Sequence, residues 1–107
     1  MTAKEFVELF HIEKKEMIDL YFNSLEKTEV KAKLESLDLT TKQMEQMQGI
    51  IDTVLTDAMY TILLGLDGGA SIGNVQQTYE IYDENGNKLS ECGDIEQYAY
   101  ELFHEEE

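Results

Sequence analysis

The chain has 107 residues, 42% of them hydrophobic and 29% charged, with a net charge of −15 from 8 basic and 23 acidic side chains. That is the composition of a folded single domain, 1–107, with room for one core and none for a separate catalytic domain and lid. All eight basic residues are lysines; without the planar fork of arginine, and at this charge, nucleic acid, nucleotides and anionic lipid are poor partners.

From Thr2 to about Asn23, apolar residues recur at three- and four-residue steps (Phe6, Val7, Phe10, Met17, Ile18, Tyr21), which predicts a helix. Thr2 followed by Glu5 has the spacing of a capping box. A shorter helix is predicted over Leu25 to Ser36, with Leu25, Val30 and Leu34 on one stripe. Thr40 or Thr41 then opens the longest helix, whose stripe runs through Met44, Met47, Ile51, Val54, Leu55, Ala58, Ile62 and Leu66. The methionines Met44, Met47 and Met59 read as core filling. Gly65 and the pair Gly68-Gly69 mark the end of this helix.

Beyond the glycines the period changes from helix to strand. Thr78 to Tyr82 alternates aromatic and β-branched residues with polar ones, Lys88 to Ser90 forms a second short run, and Asn85-Gly86 between them suits a two-residue hairpin turn. Asp94 is expected to cap a last helix with Ile95, Tyr98, Ala99, Leu102 and Phe103 inward. The expected fold class is therefore α+β, mostly helical: three N-terminal helices, a β-hairpin and a C-terminal helix.

Residues 69–73 spell G-x-S-x-G around Ser71, with Asp83, Asp94 and His104 downstream, the order of some hydrolase triads. A nucleophile elbow needs a strand before the serine and a helix after it, so that N–H groups face the oxyanion. Here a helix precedes and its carbonyl end faces Ser71, so the loop reads as a connection, and no catalytic residue is assigned. The same polarity, and the missing lysine, argue against a phosphate cradle.

Asp83, Asn85, Asn87, Glu91 and Asp94 match positions 1, 3, 5, 9 and 12 of a calcium loop, but Lys88 stands where the turn requires glycine. No metal or other cofactor is expected. His11 has no second histidine at i+4 and reads as a partly exposed helix histidine. Cys92, the sole cysteine, excludes an internal disulfide and a multi-thiolate zinc site and reads as a small core or boundary residue. No apolar run reaches the roughly 18 to 20 residues that cross a bilayer, and MTAKEFVELF lacks a signal-peptide core, so no membrane partner and a cytoplasmic location are expected.

The charge is uneven: residues 75–107 hold one lysine against ten acids, while residues 1–40 hold six against nine. Folding needs no such local excess, because it is self-repelling. Tyrosines, efficient interface residues, share the stretch. The candidate partner-binding residues are Tyr79, Tyr82, Asp83, Glu84, Asp94, Glu96, Tyr98, Tyr100 and Glu101. In size, charge and tyrosine content the chain resembles acidic immunity proteins and antitoxins that cover the nucleic-acid site of a nuclease, and inhibitors that mimic DNA by charge. That resemblance implies a basic protein partner, such as a nuclease-type toxin, and no enzyme activity. The alternatives are a small hydrolase or metal-dependent enzyme using Ser71 or the Asp83/Asp94 region, and a structural or regulatory protein that self-associates, for instance as a homodimer.

Overall fold

The computed structural model describes residues 1–91 and 93–105; Cys92, Glu106 and Glu107 lie outside them, so the expectation for Cys92 is not addressed. Helix α1 spans Ala3–Phe22, α2 Glu29–Ser36, α3 Thr41–Leu66 and α4 Asp94–Tyr100, and a π-helical turn, Glu101–Glu105, continues α4.

Two helix starts follow directly from local side-chain chemistry. The Thr2 hydroxyl accepts from the Glu5 N–H while the Glu5 carboxylate accepts from the Thr2 N–H, and Thr40 and Gln43 repeat the arrangement at the head of α3. Helix α2 begins four residues later than its apolar stripe suggests. Thr28 caps it, and Leu25, 98% exposed, stands outside. Helix α4 has no capping side chain of its own, because its N-cap is Gly93 and not Asp94. The Asp67 carboxylate, at the end of α3, accepts from the Glu96 N–H at 3.0 Å instead.

The core lies where the first half of α1, the second half of α3 and α4 meet: Val7, Leu63, Ile95, Ala99 and Phe103 are fully buried. Phe6, Phe10, Met59, Tyr60, Leu64, Ile81, Tyr98 and Leu102 pack around them. Of the three methionines read as core filling, Met59 touches this cluster, while Met44 and Met47 are half-buried further along α3. At 26 residues α3 is about 39 Å long. It outruns the core, and the molecule measures 47 × 29 × 25 Å.

Between α1 and α3 the ammonium of Lys14 is buried. It donates to Asp52 Oδ1 and Thr56 Oγ1, each at 3.1 Å, and sits 5.8 Å from the centre of the Phe103 ring. The lysine reaches the core because its stem is apolar and its charge finds an acid, a hydroxyl and a ring face there.

The α+β expectation is not met: among the described residues there is no strand, only the isolated bridges Ile72↔Val75 and Tyr82↔Lys88. The turn itself forms, in a different type. Gly86 alone takes positive φ (84°), its N–H donates to the Asp83 carbonyl, and the Asp83 N–H donates to the Asn87 carbonyl. This is a three-residue loop with glycine in the left-handed position, not the two-residue Asn-Gly turn. Pairing stops soon after. The Leu89 N–H reaches the Ile81 carbonyl, but the Ile81 N–H is taken by the Ser90 hydroxyl, and the chain turns at Glu91 toward α4. The return arm is too short for a ladder, and with no further segment to pair with among the described residues, the two arms gain little from extending.

By length and composition alone α3 would reach across a bilayer: mean hydropathy is 1.4 over an 18-residue window, of which 17% is buried. Asp52 and Asp57 stand in the middle of the helix, where hydrocarbon would penalise them, and Asp52 is committed to Lys14.

Candidate partner-binding surface

The candidate residues fall into two groups. The first surrounds the hairpin turn. Tyr82, 53% exposed, and Glu84 flank an apolar groove of about 470 Å³ floored by Phe6, Leu9, Ile81 and Leu89. Helix α1 places Phe6 and Leu9 there one turn apart, so the groove lies between the chain start and the turn at residues 83–87.

Asp83 belongs to this group in position but not in availability. Its Oδ1 accepts from the N–H groups of Asn85 and Asn87, and its Oδ2 accepts from the Asn87 side-chain amide and the Met1 ammonium, all at 2.9 Å. The ammonium first, then the bonds from Asn87, hold its carboxyl far below the usual carboxylate range, and the Met1 amine is raised in return. Asp83 therefore fastens the chain start to the turn. The same bonds occupy the first position of the calcium-loop pattern.

The second group lies on α4 and the π-helical turn. Glu96 is exposed, and Tyr100 is 49% exposed beside His104, with ring centres 5.8 Å apart. The His104 ring also meets the Tyr60 ring edge-on at 4.2 Å. Burial pushes the Tyr60 phenol up, helped by the charge of Glu96. Glu101 is half-buried and accepts from the Gln97 side-chain amide at 3.3 Å. Tyr98 packs on the core, Tyr79 is half-buried, and Asp94, also half-buried, heads α4.

Sequence reasoning missed Tyr60 and Leu9, and met His104 only as the histidine downstream of Ser71, not as a neighbour of Tyr60 and Tyr100. Tyr60 and His104 are 44 positions apart, and the spacing rules for a single helix do not connect α3 to α4. Leu9 stands outside the apolar stripe predicted for α1, is half exposed and lines the groove.

Ser71 is exposed in the loop after α3. The N–H groups of Gly68 and Gly69 close on the carbonyls of Gly65 and Leu64, so carbonyl oxygens do end the helix facing this loop. Among the described residues no hydrogen bond joins Ser71, Asp83, Asp94 and His104. His11 lies edge-on to Phe103 at 5.4 Å. Among the described residues no three His, Cys, Asp or Glu side chains gather as a metal site. Comparison with protein families, with curated proteins and with solved structures finds no match to this chain.

Proposed function

We propose that the chain is a small acidic binding protein that occupies a basic surface on a partner protein, in the manner of an immunity protein or antitoxin. One observation supports this most strongly. Of the acids in the C-terminal third, only Glu80, paired with Lys88 at 3.7 Å, and Asp83, paired with the Met1 ammonium, are used in ion pairs among the described residues. Glu84, Glu91, Asp94, Glu96, Glu101 and Glu105 stand in no ion pair among the described residues; Glu84 shares the groove with the exposed ring of Tyr82, and Glu96 and Glu101 neighbour the exposed Tyr100 along the helix. Unpaired acids steer a cationic surface at long range, and the rings supply contact area once it arrives.

An NMR titration of the labelled protein with an oligolysine peptide at low salt tests this reading. Shift changes should concentrate at residues 82–84 and 94–105. Changes spread evenly over the acids of α1 and α2 would remove the basis for a dedicated face.

A further inference from the structure

Helix α3 carries a second surface, of opposite character. Met47, Ile51, Val54, Ala58 and Thr61 follow one another at alternating four- and three-residue steps, the spacing of a helix-pairing seam. The seam lies on the side of α3 away from the core. Val54 is 57% exposed, and the flanking Ile50 and Ile62 are 58% and 46% exposed. The band continues at its C-terminal end onto Ile72 and Val75, both exposed. Of the charged residues of α3, Lys42, Glu45 and Asp52 lie on other sides of the helix, and Asp57, seven residues after Ile50, stands at the edge of the seam.

We propose that this face pairs with its own copy, α3 against α3 and antiparallel, about a two-fold axis near Val54. Three observations favour this occupant. At −15, two copies repel almost everywhere, and the seam is an uncharged strip along which they can meet. The seam is large in its first half (Met47, Ile51) and small in its second (Ala58, Thr61), so an antiparallel pair sets Met47 against Thr61 and Ile51 against Ala58, while a parallel pair leaves gaps. Antiparallel helices also oppose their dipoles. Two such bands, about 25 Å long, bury on the order of 1,000 Å², the lower end of what a specific dimer needs. Aspartates within the helix and the net charge disfavour a lipid surface as the occupant.

Sedimentation velocity over a concentration series, with circular dichroism as the folding control, reads the mass directly. The protein should reach twice the chain mass, and Val54→Glu should weaken the dimer at least ~100-fold while keeping its helical signal. In a Cys92→Ser background, Val54→Cys should form a disulfide-linked dimer on mild oxidation. Met47→Cys should not, because its copy lies about 20 Å away along the antiparallel pair. A monomer at every concentration, a monomer that co-sediments with phosphatidylcholine vesicles, or self-linkage of Met47→Cys overturns the proposal.

Discussion

The side chain of Ile72 occupies the space that a β-carbon on Gly65 would need: such a carbon would lie 2.4 Å from Ile72 Cγ1 and 2.8 Å from Cδ1. Gly65 is there so that the loop after α3 can close onto the helix. Gly65→Ala should therefore destabilise by about 1–2 kcal/mol in urea unfolding, even though alanine favours helix. Gly49→Ala, in the same helix with open space around it, should stabilise by about 0.5–1 kcal/mol. The same sign for both would contradict the packing of Ile72.

Lys14, buried, and Asp52, half exposed, form the one ion pair that joins α1 to α3 among the described residues. Asp52→Ala leaves the ammonium with only Thr56 and a ring face, and should cost about 1–3 kcal/mol. Lys14→Met keeps the stem volume and removes the charge, and should cost less than about 1 kcal/mol, because Asp52 is half exposed and Thr56 can donate to it. Urea unfolding of both variants checks the order, and a larger loss for Lys14→Met would reverse the account.

Asp67 caps a helix to which it does not belong. Asp67→Ala should lower stability by about 1 kcal/mol and speed amide exchange at Glu96, whereas Asp67→Asn, an equally good cap, should restore most of both. Unchanged exchange at Glu96 in the alanine variant would show that the bond contributes nothing.

The contact between the Met1 ammonium and Asp83 sets a pH window. Asp83 is depressed, so its contribution is complete above the ordinary carboxylate value of 3.8 and disappears as pH falls through its lower folded value. The Met1 amine is raised, so its contribution is complete below 8.0 and disappears as pH rises through its higher folded value. The amide shifts of Asn85 and Asn87 should stay flat from about pH 4 to pH 8 and move only beyond both ends. A titration centred at the ordinary aspartate value would show that the turn is not cradling the carboxylate.

What the sequence made legible was local. Thr2 with Glu5 and Thr40 with Gln43 announce their helices because cap and partner are three residues apart. The apolar stripe of α3 announces its length in the same way. Asn85-Gly86 marked a turn correctly, yet the strands on either side depended on whether Ser90 or a backbone carbonyl would meet the Ile81 N–H, which no local pattern encodes. The candidate surface divides along the same line. Tyr82, Glu84, Glu96 and Tyr100 are displayed, while Asp83 is consumed by the chain start 82 positions away and Tyr98 by the core. Nothing local in the sequence sets Lys14 apart from the other lysines of α1, because its partners lie on α3 and beyond.

The most direct test of the acidic binding face compares two triple variants of equal net charge for affinity to the same oligolysine peptide. Glu84→Gln, Glu96→Gln and Glu101→Gln together should weaken binding at least ~10-fold, because Glu84 lies beside Tyr82, and Glu96 and Glu101 beside Tyr100, whose exposed rings supply the contact area. Glu8→Gln, Glu13→Gln and Glu16→Gln together, on α1, should change it by no more than about twofold. Equal losses in the two variants would mean that binding follows total charge alone, and would contradict a dedicated face.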